Sequence, residues 1–177
     1  MLARINSESC YFFTATVKSW YCLLNRDQYK KIITDSLAFL VKDNRVRIYG
    51  FVIMPNHLHV IWDILQPHTK AQIQRDFLKY TSQQMRLDMM QNHPSELLKF
   101  RVDLKDRKHQ IWQRRSLSIQ LYSISVFEQK LNYIHNNPIS GKWRLADIKE
   151  DYPYSSASLY STGQTQWNFL TNFYIGD

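Results

Sequence analysis

Hydrophobic and polar residues alternate with period two over residues 57–64, which predicts a β-strand after the Pro-Asn turn signal at 55–56. His57 and His59 are two residues apart, so their side chains project from the same face of this strand. The opposite face is expected to contribute to the core through Leu58, Val60, Trp62 and Ile64.

Two further stretches have the composition of strands. Residues 11–17 are aromatic and β-branched, and residues 45–54 form a second apolar run that joins the histidine strand through a short connection. Two strands connected so closely are expected to pair as an antiparallel hairpin.

Three helices are predicted where apolar residues recur at helical spacing. Capping signals place the starts of these helices at Asn25, Thr69 and Ser125. Pro138 is expected to end the third helix, because the residue before a proline avoids helical backbone angles.

Length and composition fit a globular chain of 177 residues, which we interpret as a single domain over 1–177 whose tail, 161–177, has no assigned structure. The formal net charge of +8 favours an anionic partner, although a merely basic protein would have the same charge. Two cysteines are too few for a disulfide framework, and no apolar run is long enough to span a membrane. A cytoplasmic location is therefore expected, with association with the nucleoid when DNA is bound.

A basic cluster surrounds one tryptophan in the second half of the chain. Cations interleaved with an aromatic ring suit a nucleic-acid backbone with a stacked base. A core tryptophan beside a solvated loop explains the same pattern equally well. The predicted DNA-binding residues are Lys105, Arg107, Lys108, Trp112, Arg114 and Arg115.

The third predicted helix carries two polar side chains on one flank. At about 100° per residue, Tyr133 and Asn137 lie about 40° from each other, whereas His135 projects away from Tyr133. The buried stripe of this helix is expected to consist of Phe127, Leu131 and Ile134.

These residues suggest a metal site with a nucleophile beside it. The imidazoles of His57 and His59 and the amide oxygen of Asn137 can ligate a divalent cation, leaving positions open for a phosphate oxygen. The Tyr133 hydroxyl, within one helical turn of that cation, could attack the phosphodiester. Taken singly, each residue also has a structural explanation, such as a hydrogen-bonded histidine, a packed tyrosine or a helix terminus.

Taken together, the motifs resemble a known family. GFVIMPNHLHVIW at 50–62, followed by LNYIHNNP at 131–138, is similar to the single-tyrosine HUH transposases, and most similar to their REP-associated tyrosine transposase branch. The Trp-Gln pair at 112–113 and DYPYSS at 151–156 add to a resemblance that extends from about residue 10 to about residue 160. One departure is Ser-Leu-Ser-Ile at 116–119, where the family usually has aromatic, acidic and His or Arg residues.

The resemblance implies a ferredoxin-like α+β sandwich, an antiparallel β-sheet with helices packed on one face. It implies Tyr133 as nucleophile, His57, His59 and Asn137 as ligands of Mg²⁺ or Mn²⁺, and single-stranded or hairpin DNA as substrate. The implied reaction is cleavage and rejoining through a 5′-phosphotyrosine intermediate with release of a 3′-hydroxyl. A homodimer and a monomer are both compatible with the family.

Two other functions remain open at this stage. A domesticated, non-catalytic binder of single-stranded or hairpin DNA would keep the basic and aromatic surface without forming a covalent adduct. An unrelated metallohydrolase would use the histidine pair and would turn over without Tyr133. Substitution of Tyr133 separates all three interpretations.

Overall fold

The structure, a computed structural model, describes residues 8–175 and contains a four-stranded antiparallel sheet with a separate two-stranded hairpin. The strands are β1 (Cys10–Thr16), β2 (Val46–Met54), β3 (His57–Ile64), β4 (Arg101–Leu104), β5 (Arg107–His109) and β6 (Leu117–Gln120). The helices are α1 (Asp27–Lys42), α2 (Lys70–Asn92), α3 (Pro94–Leu97), α4 (Ile124–Asn136) and α5 (Ala157–Thr162).

The sheet has the strand order β2-β3-β1-β6, with β3 and β1 in the centre. Because α1 connects β1 to β2, and α2 lies between β3 and β6, the β1-α1-β2-β3-α2-β6 path has the ferredoxin-like arrangement. The predicted α+β class and the predicted antiparallel pairing of the histidine strand with the strand before it are confirmed.

One face of the sheet packs against α1 and α2. The apolar side of β3, expected to be core, is buried here, and Trp62 stacks on Phe13 with ring centroids 5.0 Å apart and meets Phe77 of α2 edge-on at 5.9 Å. Burying one large apolar side chain stabilises the fold by about 1.5–3 kcal/mol, so this layer supplies much of the stability.

The opposite face of the sheet packs against α4. The predicted stripe of Phe127, Leu131 and Ile134 is buried in a second cluster with Ile61 of β3. Gly50 of β2 permits this close approach, because a Cβ there would lie 2.8 Å from Leu131 Cδ1 and 3.0 Å from Ile134 Cδ1. The sheet therefore has helices on both faces and not on one face as predicted, because α4 covers the face that carries the histidines.

Helix starts differ from the predicted capping residues in two cases. Thr69 caps α2 as expected, in a reciprocal capping box with Gln72. Asn25 instead lies in a 3-10 turn before α1, and α4 begins two residues earlier than predicted because the Ser123 hydroxyl, not that of Ser125, accepts from the Val126 N–H.

The C-terminal tail packs back onto the sheet. The Thr171 N–H donates to the Ile48 carbonyl at 2.9 Å, and Phe169 and Phe173 are buried in the two core clusters. Residues 1–7 and 176–177 of the predicted domain lie outside the described residues. Within residues 8–175, none of the helices combines the length and the apolar character that a membrane crossing requires.

Candidate functional site

The two histidines of β3 lie side by side near one end of the sheet. His57 is opposite Thr16 of β1 and Met54 of β2, while His59 is opposite Thr14 on the β1 side. The centroids of the two imidazole rings are 4.9 Å apart and their planes are inclined by 70°. The period-two alternation of the strand thus brings both rings together on the face that α4 covers.

Hydrogen bonds fix one nitrogen of each imidazole and leave the other available. His57 Nδ1 lies 2.7 Å from Asn56 Oδ1, and because an amide oxygen only accepts, Nδ1 carries the proton and Nε2 keeps its lone pair. His59 Nδ1 lies 2.7 Å from Thr14 Oγ1. Within the described part of the chain, His59 Nε2 is buried and has no hydrogen-bond partner.

An unpartnered buried nitrogen is unusual, since buried polar atoms nearly always have a partner.

Both histidines are also held in the neutral form. Burial, with the nearby charge of Lys142, lowers the pKa of His57 to about 4. Burial, followed by the charges of His57 and Lys130, lowers the pKa of His59 to about 3. At neutral pH the two imidazoles can therefore offer lone pairs to a cation.

Tyr133 reaches this pair from α4. Its ring centroid lies 5.3 Å from that of His59, with the rings inclined by 66°. Phe12 of β1 contacts both rings, stacked on His59 at 5.1 Å and edge-on to Tyr133 at 6.2 Å. The Tyr133 side chain remains 52% exposed, so a solvent-borne substrate can reach it.

Two other polar residues at the C-terminal end of α4, Asn137 and His135, lie in different surroundings. Asn137 is half-buried and begins the 3-10 turn Asn137–Ile139, which lies against β2, one helical turn beyond Tyr133. The role of Asn137 as the third metal ligand stays a prediction. His135 is buried elsewhere, with Nε2 2.9 Å from Ser156 Oγ, in agreement with its predicted separation from the Tyr133 flank.

The donor set fits a divalent cation. The two imidazole rings lie side by side, and the unpartnered His59 Nε2 offers a lone pair to a ligand when the Thr14 hydroxyl accepts the Nδ1 proton. Among residues 8–175, no three His, Cys, Asp or Glu side chains cluster around one point. The expected third protein donor is the amide of Asn137, and asparagine is not one of these four residue types.

Four residues around the histidines were not identified from the sequence. Trp20 and Trp143 flank His57, with ring centroids 6.3 Å and 6.5 Å from its imidazole. Lys142 lies over the Trp143 ring at 4.9 Å, and Lys130 lies over the Phe12 ring at 5.2 Å. Only Lys130 gave a usable signal, because it precedes Tyr133 by three residues on one helix.

The predicted DNA-binding cations are all exposed. Arg114 and Arg115 follow Trp112 in the segment that leads to β6. The others, Lys105, Arg107 and Lys108, lie on the β4–β5 hairpin, where Arg107 is paired with Asp106.

A groove of about 650 Å³ separates this basic segment from α2. Two sides of the groove present cations to each other, which favours an anionic occupant. Its cationic lining residues are Arg75, Lys79 and Arg86 on α2, and Arg107 and Arg114 on the other side.

Trp112 requires a correction, because the structure contradicts its predicted stacking role. The ring is only 4% exposed and belongs to the core under α2, and its Nε1–H donates to Thr81 Oγ1 at 3.0 Å. A ring so enclosed cannot stack on a base. The alternative, a core tryptophan beside a solvated loop, is the correct one.

The basic segment is nevertheless anchored beside the histidines. Gln113 N–H donates to the Thr16 carbonyl and Lys18 N–H donates to the Ile111 carbonyl, both at 2.7 Å. Since Thr16 is directly opposite His57, the chain leaving Gln113 toward Arg114 starts at the site end of the sheet.

Comparison with known proteins adds a fold relationship. No protein-family model matches the chain. An uncharacterised protein from Haemophilus influenzae is 28% identical over 148 residues, covering 75% of this chain and 82% of that protein. A solved structure of a REP-associated tyrosine transposase bound to a REP hairpin covers all of this chain and 93% of that one, with a TM-score of 0.61 and 20% identity.

At this level of identity the solved transposase shows a shared fold. The match to the structure of a transposase candidate from Deinococcus radiodurans covers 72% of this chain and 88% of that chain, with a TM-score of 0.46 and 15% identity.

Proposed function

We propose that this chain is a metal-dependent, transposase-like enzyme that cleaves and rejoins single-stranded DNA at or near hairpins. In this proposal Tyr133 is the nucleophile and forms a 5′-phosphotyrosine intermediate. His57, His59 and Asn137 hold Mg²⁺ or Mn²⁺, and the exposed cations around the β4–β5 hairpin bind the DNA backbone.

The observation that carries the proposal is the contact between Tyr133 and His59. A half-exposed phenol lies beside a buried imidazole whose Nε2 has no partner among the described residues. A core tyrosine would be enclosed, and a buried polar atom of a structural residue usually has a partner. The pair instead has the form of a nucleophile next to a ligand site.

The metal would be held by lone pairs that the surrounding chain has already oriented. Asn56 keeps the proton of His57 on Nδ1, and Thr14 holds Nδ1 of His59, so Nε2 of each ring is directed to the ligand. When bound, a divalent cation supplies Lewis-acid polarisation of the phosphodiester and holds it for in-line attack. Imidazoles alone would accept several metals, so the proposed amide ligand and an oxygen-rich substrate favour Mg²⁺ or Mn²⁺.

The covalent step is an exchange of one phosphate ester for another. The Tyr133 oxygen bonds to phosphorus, its proton leaves to water, and the bond from phosphorus to the 3′-oxygen breaks. The leaving 3′-oxygen takes up a proton and becomes a free hydroxyl. Because the number of ester bonds is unchanged, the reverse attack by a 3′-hydroxyl releases Tyr133 without any input of ATP.

Substrate binding would use the basic groove between α2 and the β4–β5 segment. Arg114 lines the groove and follows Gln113, whose backbone is bonded to the site end of β1. A phosphate backbone lying in the groove could continue toward the histidines. The fold shared with a transposase bound to a hairpin supports hairpin DNA as the first substrate to test.

The proposal is tested by the polarity of the covalent product. The protein is incubated with Mn²⁺ and hairpin DNA bearing single-stranded flanks, labelled on either side of the cut, and analysed on a denaturing gel. The label on the 3′ side should migrate with the protein, and the 5′-side label should not. Binding of the hairpin with no adduct for either label would favour the domesticated binder instead.

A further inference from the structure

Backbone strain is concentrated around His57. The non-glycine residues with positive φ in the described part of the chain are Ser19 at 54°, Trp20 at 57°, Asn44 at 52° and Arg144 at 41°. Ser19 and Trp20 form the turn beside His57, and Arg144 follows Trp143, the other tryptophan that flanks it. For residues other than glycine, this conformation is sterically unfavourable, and such strain clusters at functional sites.

The strained turn is held in place by hydrogen bonds of the backbone and of the Asn56 side-chain amide. Trp20 N–H donates to the Val17 carbonyl at 3.0 Å, and Val17 N–H donates to the Asn56 carbonyl at 2.8 Å. The Asn56 amide then donates to the Trp20 carbonyl at 3.2 Å while its oxygen accepts from His57. One residue, Asn56, therefore orients both the candidate ligand and the turn that presents Trp20.

Packing does not account for this arrangement. The Trp20 ring is 59% exposed although it is the largest type of apolar side chain. Its ring contact is the edge-on approach to His57, with ring planes inclined by 72°. A tryptophan kept in a strained backbone and held out in solvent contributes little to the core, so the strain must serve another purpose.

We propose that Trp20 is the stacking platform for the nucleobase adjacent to the phosphate bound at His57 and His59. The inference rests on the proposed function and adds a DNA-binding residue to it. An exposed indole offers a flat surface to any base, and stacking of this kind contributes affinity without base-edge readout. The Nζ of Lys142 lies over the ring of Trp143, which flanks His57, so this cation can pair with the phosphate of the same nucleotide.

The test measures binding of a DNA hairpin with a single-stranded oligo-dT extension by fluorescence anisotropy, over a series of salt concentrations. Trp20→Gly should weaken binding by roughly 5- to 150-fold, the range expected for one lost stacking contact. Because the indole is neutral, the slope of affinity against salt should stay the same. Trp20→Phe should retain most of the affinity.

The same glycine variant reports on strain. Glycine adopts positive φ without a steric penalty, so Trp20→Gly should melt at the same temperature as the parent or higher. Weaker binding with unchanged or greater stability is the result expected of a functional platform. Phe39→Ala is the control. It removes a different exposed aromatic ring, which lies on α1, and should leave binding unchanged.

The outcomes separate the two proposals. If the parent binds and cleaves the hairpin but Trp20→Gly does both equally well, the stacking platform is wrong and the proposed enzyme stands. If Trp20→Gly unfolds at a clearly lower temperature and Trp20→Phe also loses binding, the ring is structural and the inference is overturned. If the parent binds no DNA at any salt concentration, both proposals fail.

Discussion

The aromatic rings of Tyr133 and His59 lie 5.3 Å apart, although one residue is on α4 and the other is on the central strand β3. The contact depends on α4 lying close to the sheet, which the absence of a side chain at Gly50 allows. Within residues 124–136, Tyr133 is the only exposed aromatic residue of α4 that carries a polar group. The contact places it beside an imidazole whose Nε2 has no hydrogen-bond partner among the described residues.

The metal site should depend on His57. His57→Ala removes one of two imidazoles that are neutral and correctly oriented, so Mn²⁺ binding at neutral pH should be lost. Isothermal titration calorimetry measures this directly. His68→Ala, which removes a histidine from the loop after β3, beyond the end of the strand opposite to His57, serves as the control and should bind Mn²⁺ like the parent. An unchanged Mn²⁺ affinity in His57→Ala would exclude the proposed ligand set.

DNA binding should depend on the cations that follow Gln113. Replacing Arg114 and Arg115 together with alanine removes two exposed charges, so affinity should fall and the slope of log affinity against log salt should decrease by about two. Lys31→Ala removes an exposed cation from α1 that is paired with Asp35 and should change neither quantity. A salt slope identical in the double variant and the parent would place the DNA elsewhere on the surface.

The stability of the metal-free protein should depend on pH through three buried histidines. The pKa is lowered to about 4 in His57, about 3 in His59 and about 4 in His135, in each case chiefly by burial. Unfolding restores values near 6.5, so below pH 6.5 the unfolded chain binds protons that the folded chain does not. The stability contributed by neutral burial is fully present above pH 6.5 and is lost as the pH falls toward 4.

Urea unfolding in chelator at pH 7 and pH 5 measures this effect. Each histidine should lower the free energy of unfolding at pH 5 by up to about 2 kcal/mol relative to pH 7. His135→Gln removes one of the three groups and should flatten the dependence without abolishing it. Equal stability at the two pH values would mean that these histidines are not buried in the neutral form.

Much of the fold could be predicted from local patterns in the sequence. The alternation over residues 57–64 is the direct signature of β3, and the reciprocal side-chain and backbone bonds of Thr69 and Gln72 lie within four residues of chain. Helical spacing also separated Tyr133 from the buried stripe of α4. In each case the responsible contacts are either local or are repeated along one face of an element.

Contacts between distant segments decided the rest. Trp112 is buried because its indole N–H reaches Thr81 on α2, a partner that no pattern around residue 112 reveals. Trp20 borders the site because Asn56 binds its carbonyl, and its neighbourhood carries no motif. Ser123 and Ser125 are equally good caps by type, and only the hydrogen bond to Val126 distinguishes them.

The central claim is that the Tyr133 hydroxyl is the nucleophile, and Tyr133→Phe tests it most directly. Phenylalanine keeps the ring that meets His59 and Phe12 and removes only the hydroxyl, so folding, Mn²⁺ binding and hairpin binding should be retained. Tyr122→Phe, at an exposed tyrosine before α4, is the matched control.

The decisive measurement is the amount of covalent protein–DNA species on a denaturing gel, with Mn²⁺ and hairpin DNA labelled on the 3′ side of the cut. The parent and Tyr122→Phe should both form the species, and Tyr133→Phe should form none. Cleavage by Tyr133→Phe at the rate of the parent would contradict the account, because water or another residue would then be the nucleophile.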